Sequence, residues 1–137
     1  MDYENLMEFH NKENPFTREM GVQIFEIREG YAKLKLSVKK SHTNALGIVH
    51  GGCLFTLADS VCGVAASSYG RQSVTVNASI NYLSPALQVK ELTGEAKVIK
   101  HGKRISVFHA EVKDERGNLL VRGEFTYCVL DKTIKNV

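Results

Sequence analysis

The stretch Cys53–Ser68 constrains the fold more than any other segment. It has no proline, is rich in Ala, Leu, Val and small residues, and is too long for an ordinary strand, so it predicts a helix. Leu54, Phe55, Leu57, Ala58, Val61, Cys62, Val64 and Ala65 cover most of its circumference. A helix that is apolar nearly all round is a buried one. Gly63, Ala66, Ser67 and Ser68 are small enough to let another element approach closely. Such a helix needs a wrapper, and most of the remaining chain reads as strand.

Upstream, residues 3–13 predict a short polar helix that Asn14-Pro15 ends, with one more helical turn over Phe16–Met20. From Val22 the period becomes two: Val22, Ile24 and Glu26 alternate with Gln23, Phe25 and Ile27. After a Glu29-Gly30 turn, Ala32, Leu34, Leu36 and Val38 alternate with Lys33, Lys35 and Ser37. That pair is a hairpin with one wet face. Lys39–Gly47 is polar and irregular, a loop. Downstream of Tyr69-Gly70, Val74, Val76, Ala78, Ile80 and Tyr82 alternate with Thr75, Asn77, Ser79 and Asn81 until Ser84-Pro85. Leu92–Lys100 and Arg104–Lys113 flank a His101-Gly102-Lys103 turn, and Glu115-Arg116-Gly117-Asn118 is a further hairpin turn. Leu119, Val121, Gly123, Phe125, Tyr127 and Val129 form one face of the last strand.

Hairpin-sized turns join antiparallel strands. The fold class is therefore α+β, one antiparallel sheet of five to six strands curled around one long helix. A length of 137 residues suits one domain over 1–137, residues 1–13 being an N-terminal helical extension. One sheet and one helix make a thin core with open sheet edges, which a second copy would cover. At least a homodimer is expected.

Charge and cysteine content narrow the function classes. Eighteen Lys and Arg against fifteen Asp and Glu leave +3, far from the basic stripe of a nucleic-acid binder. Gly51–Tyr69 is the most apolar long stretch, yet Asp59, several Ser and three Gly argue against a membrane span. Cys53, Cys62 and Cys128 are odd in number and form no CxxC pair, which argues against a disulfide framework or a thiolate zinc site. Cys53 and Cys62 read as small core residues rather than nucleophiles. The N-terminus lacks an apolar signal core, so a reducing, cytoplasmic setting is expected.

Two features could carry chemistry. Asp59 lies mid-helix among Leu57, Ala58, Val61 and Cys62. A buried carboxylate is costly unless paired or hydrogen-bonded, so Asp59 either does work or occupies a narrow exposed stripe of the helix. Before it runs Asn44-Ala45-Leu46-Gly47-Ile48-Val49-His50-Gly51-Gly52. Two glycines opening a helix present unpaired backbone amides that can bind an anion or an oxyanion, or they simply permit close packing with His50 as a cap. Asp59 lies eight residues after Gly51, about 12 Å along a helix axis and some 80° away in projection. One helix could not easily aim both groups at one atom, whereas two copies meeting could.

The run Asn44…Gly47-Ile48-Val49-His50-Gly51-Gly52…Leu57-Ala58-Asp59-Ser60 resembles the signature of hot-dog-fold acyl-CoA thioesterases, in particular the PaaI-like (phenylacetic acid degradation type) branch. Asn14-Pro15-Phe16, Met20-Gly21-Val22, Asn81-Tyr82-Leu83-Ser84-Pro85 and Gly102-Lys103-Arg104 match segments of that family too, so the likeness spans roughly residues 14–130. It implies hydrolysis of an aromatic or short- to medium-chain acyl-CoA, as a homodimer or a dimer of dimers. Asp59 would be the base or nucleophile, and the Gly51 amide of a partner subunit would polarise the carbonyl. Asn44 falls on a position that helps hold the attacking water or substrate, His50 on one that supports the helix start and the carbonyl site, and Thr75 on one where some members use a hydroxyl to orient the water. Gly52, Ser60, Asn81, Tyr82 and Ser84 would contact substrate. Gly102, Lys103 and Arg104 would face the coenzyme A phosphates, with Lys100, Arg71 and Arg122 as weaker candidates. Coenzyme A is part of the substrate, so no separate cofactor or metal is implied. A non-catalytic acyl-CoA-binding module and an enoyl-CoA hydratase on the same fold stay open at this point.

Overall fold

The computed structural model describes residues 1–135; residues 136 and 137, the end of the expected domain, lie outside the described residues. The elements are α1 (Tyr3–Glu13), α2 (Pro15–Met20), β1 (Gln23–Arg28), β2 (Tyr31–Ser37), α3 (Gly51–Ser67), β3 (Arg71–Tyr82), β4 (Glu91–His101), β5 (Ile105–Asp114) and β6 (Leu119–Thr133). All six strands join one antiparallel sheet in the order β1-β2-β4-β5-β6-β3. The sheet wraps α3, which packs against every strand. The α+β architecture expected from the sequence is the one observed.

The buried face of α3 carries Leu54, Leu57, Ala58, Val61, Cys62 and Ala65. Leu34, Leu36, Leu92, Phe108, Val112, Val121 and Phe125 meet it from the sheet. The remaining stripe, Gly52, Phe55, Thr56, Asp59, Ser60 and Gly63, is only partly covered. Those positions recur at helical spacing, so α3 is buried on most of its girth and open along one narrow face.

Of the five register shifts in the sheet among the described residues, two bear on the reading of the faces. A register shift between Ile24 and Glu26 puts a bulge in β1. Both Ile24 and Ile27 consequently face the core, while Phe25 is 44% exposed. The expected pairing of Val22 and Ile24 with Glu26 on one face fails at that point, because a bulge adds a residue and reverses the alternation after it. A second shift lies between Thr75 and Asn77 in β3, and there Val74 and Val76 stay exposed.

The sheet has two edges. Along β1 the Asn11 side chain of α1 acts as a strand in miniature: its Nδ2 donates to Ile24 O at 2.9 Å, and Ile24 N donates to its Oδ1 at 2.8 Å. Leu6 of α1 is fully buried beneath. Beyond α1, the His10 ring bonds Ser67 Oγ on α3 at 2.8 Å. The N-terminal helix thus packs on both the β1 edge and α3. Among the described residues, β3 pairs only with β6, and its other edge is bare.

Candidate active site

Asp59 sits half-buried on the open stripe of α3. Its Oδ1 accepts from Thr75 Oγ1 of β3 at 2.8 Å and from the Tyr127 hydroxyl of β6 at 2.7 Å. Tyr127 also lies 2.6 Å from the Asp59 carbonyl oxygen. Thr75 and Tyr127 are register partners across β3 and β6, so the sheet presents both hydroxyls to one oxygen. Oδ2 has no hydrogen-bond partner among the described residues. Burial, with the charge of Asp59 adding to it, pushes the Tyr127 phenol well above its ordinary pKa. Tyr127 is therefore a fixed donor that orients the carboxylate and cannot compete as a base. Ser60 borders the same pocket of about 510 Å³, together with His10, Gly63 and Val74.

Sequence reasoning missed Tyr127. The signal was present: it is the one hydroxyl on the inward face Leu119, Val121, Gly123, Phe125, Tyr127, Val129. A buried phenol must find an acceptor.

The start of α3 forms a second cluster. His50 is the N-cap, its Nδ1 accepting from Gly52 N at 2.7 Å. That bond requires Nδ1 to be unprotonated. Cys53 N and Leu54 N both reach His50 O. Of the first four amides of the helix, only Gly51 N–H lacks an acceptor among the described residues. Gly51 O accepts from the Tyr82 hydroxyl at the far end of β3, at 3.0 Å. A Cβ on Gly52 would lie 2.9 Å from His50 Nδ1, so glycine there preserves the cap. Asn44 folds its own loop: its Oδ1 accepts from Leu46 N at 2.9 Å and Ile48 N at 3.3 Å, leaving its Nδ2 as the group able to reach outward.

The remaining sequence candidates divide by place. Ser84 is exposed just past Tyr82, its amide on Leu120 O. Asn81 pairs with Arg122 and, by alternation, sits on the face opposite Tyr82. Gly102, Lys103 and Arg104 form the β4–β5 hairpin, which lies level with Val74, since Ile105 pairs with Cys128 and Cys128 with Val74. Within one chain that hairpin is at the opposite end of the sheet from Tyr82 and Ser84. Lys100, at the end of β4, shares that end and is exposed. Arg71 is pinned to Leu130 O, at 2.7 Å, and to Asp131, at 2.9 Å. Cys53 and Cys62 are buried free thiols, and burial pushes Cys53 up to about 11. Neither has the thiolate character of a nucleophile.

A family model described as the Thioesterase superfamily matches residues 46–121, more than half the chain. The chain belongs to the thioesterase superfamily. The matched span runs from the loop before His50 to the start of β6, so it contains His50, Gly51, Asp59, Thr75 and Tyr82, while Asn44 and Tyr127 lie just outside it. Acyl-coenzyme A thioesterase PaaI of Escherichia coli is 31% identical over 97 residues, covering 71% of this chain and 69% of the relative. The solved structure of the E. coli PaaI protein from the phenylacetic acid degradation operon matches with a TM-score of 0.90 at 25% identity, over 97% of this chain and 96% of that one. Human acyl-coenzyme A thioesterase 13 is 29% identical over 119 residues, 84% of this chain and 85% of the relative. A hypothetical thioesterase of Streptococcus pneumoniae TIGR4, solved with coenzyme A, matches with a TM-score of 0.78 at 29% identity, over 82% of this chain and 88% of that one. The fold is the hot-dog fold of these proteins.

Proposed function

We propose that this chain hydrolyses acyl-coenzyme A to a free acid and coenzyme A at a site shared by two copies, the acyl group being aromatic or a short to medium chain. One observation carries this reading: Asp59 and Gly51 are tied to the same strand at different places, Asp59 to Thr75 and Gly51 to Tyr82. Along β3 the two anchors are about 23 Å apart, and along α3 the two residues are about 12 Å apart. A carbonyl carbon and its oxygen are only about 1.2 Å apart. One chain cannot bring both groups onto one thioester. Antiparallel addition of a second β3 to the bare edge reverses the order of anchors, setting the Thr75 end of one strand against the Tyr82 end of the other.

In that arrangement the free Gly51 N–H of the partner subunit donates to the thioester oxygen as negative charge develops there. A fixed donor of this kind is worth about 3 kcal/mol. Asp59 Oδ2 takes a proton from water while the water oxygen bonds to the thioester carbon. Collapse of the tetrahedral intermediate breaks the C–S bond, and Asp59 passes the proton it took from water to the leaving thiolate, which regenerates the carboxylate. Thr75 and Tyr127 hold the carboxylate, His50 holds the turn that exposes the Gly51 amide, and Asn44 Nδ2 offers a second donor nearby. Water and these side chains suffice for the reaction, with no further cofactor. The same reversal brings the Gly102-Lys103-Arg104 hairpin of one copy to the Tyr82–Ser84 end of the other, where coenzyme A phosphates need cations. A dimer of dimers leaves each such site intact. The three free thiols suit a reducing, cytoplasmic setting.

Steady-state hydrolysis of an acyl-CoA panel by wild type and Asp59→Asn tests the reading. A loss of about 10²–10⁴-fold in kcat is expected on removing a general base. Equal rates for the two proteins would take Asp59 out of the mechanism.

A further inference from the structure

We propose that α1 and the second half of α3 form a ruler for linear acyl groups of about ten carbons. The inference rests on the thioesterase reading and names the substrate class of that site. Behind the 510 Å³ pocket at Asp59 lies a second one of about 480 Å³, and the two share His10, Gly63, Ser73 and Val74. They form one groove running away from Oδ2. Asp59, Gly63 and Ser67 follow each other at i, i+4 and i+8 on one stripe of α3, which makes the floor. Phe9 and His10 of α1 form one wall, and Val74, Leu130 and Ile134 form the other.

Three of the polar residues at the far end, His10, Ser67 and Arg71, are already engaged, and Gln72, Ser73 and Lys135 complete its polar lining. Ser67 Oγ donates to Val64 O at 2.6 Å and so accepts from His10 Nε2. The Arg71 guanidinium is held by Leu130 O and Asp131. Burial also lowers the His10 pKa to about 4, leaving the ring neutral. What the distal groove offers a ligand is mainly hydrocarbon surface. Gly63 sits where the two pockets join, and a Cβ there would find Tyr127 Oη at 3.5 Å as its nearest neighbour. A methyl group would fit there in ordinary contact, so it takes a larger, branched side chain at position 63 to narrow the passage.

The length follows from the helix. Asp59 to Ser67 is eight residues, about 12 Å along the axis. An extended chain advances about 1.2 Å per bond, three bonds spanning up to roughly 3.6 Å. The groove therefore takes about ten bonds of a straight acyl chain, and Gly63, about 6 Å from Asp59, stands at about the fifth.

The test is a kcat/KM profile over straight acyl-CoAs from four to fourteen carbons, with a phenylacetyl thioester alongside. Wild type, Gly63→Val and Leu130→Trp are compared after a thermal melt confirms folding. Wild type is expected to peak near ten carbons. Gly63→Val should lower the decanoyl-to-butyryl ratio at least tenfold, and Leu130→Trp should trim only the longest chains. Two obstructions at different depths should thus give two different cut-offs. Identical profiles in all three proteins, or a wild type that prefers butyryl or phenylacetyl, would overturn the ruler while leaving the thioesterase reading intact. A wild type that turns over no acyl-CoA would overturn both.

Discussion

The two edges of the sheet are treated in opposite ways. At β1 the edge is closed from within: Asn11 of α1 pairs with both backbone groups of Ile24, and Leu6 is buried beneath it. At β3, strand positions Val74 and Val76 are 48% and 56% exposed, and the open backbone has no partner among the described residues. A bare, long, apolar edge is a template for pairing with another strand. The candidate catalytic groups are anchored to this strand and none to β1. One edge is thus closed within the chain, while the other is the edge on which the proposed assembly and chemistry rest.

Charging the open edge should have the largest effect. Val74→Lys combined with Val76→Lys is expected to give a monomer by sedimentation and to lower kcat/KM about a thousandfold or more, since base and oxyanion donor would both lose their partners. A monomer with wild-type turnover would end the comparison. Next comes Tyr127→Phe, which frees Asp59 Oδ1 from one donor. Turnover should drop at least tenfold with little change in KM, and stability should fall by about 1 kcal/mol for the lost hydrogen bond. Single-turnover hydrolysis in ¹⁸O water sharpens the role of Asp59: label found in its carboxylate would make it the nucleophile and contradict the base role, which predicts label in the product alone.

Two smaller effects belong to the closed side. His10 is held neutral by burial, with a pKa lowered from 6.5 to about 4. The unfolded chain takes up a proton there below pH 6.5 and the folded chain does not. Stability should therefore fall as pH drops from 6.5 to 4 and then level off, by at most about 3 kcal/mol. Denaturant melts of wild type and His10→Phe across that window should show the slope flattened in the variant. Asn11→Ala should cost about 1–2 kcal/mol by leaving Ile24 unpaired, with no change in oligomeric state. A change in assembly from that variant would mean that the β1 edge also takes part.

Most of the architecture was legible in the sequence because each element carries its own period. The apolar girth of Cys53–Ser68 and the alternation of Ala32–Val38 and Leu119–Val129 are local signals. The bulge between Ile24 and Glu26 was not legible, because it depends on where β2 and Asn11 catch the backbone of β1. The candidate site divides in the same way. Asp59 and the His50-Gly51-Gly52 start of α3 stand out in sequence, one as an acid amid apolar residues and the other as a helix opening. Tyr127 does not, because its contact with Asp59 spans 68 positions and depends on β6 lying next to β3. Nor does sequence reveal that Gly102–Arg104 and Tyr82–Ser84 lie at opposite ends of one chain, which only strand register fixes.

The shared site is tested most directly by subunit complementation. Gly51→Pro removes the amide at the first helical position, which has no acceptor among the described residues and where proline is compatible with a helix, and the extended His50 backbone (φ −62°, ψ 137°) tolerates a following proline. Asp59→Asn removes the acid. Each variant alone should be nearly inactive. After verified exchange at equal amounts, half the dimers are mixed, and each mixed dimer holds one intact site in two. Activity should return to about a quarter of wild type. Mixed dimers without recovered activity would show that Gly51 and Asp59 do not meet across subunits.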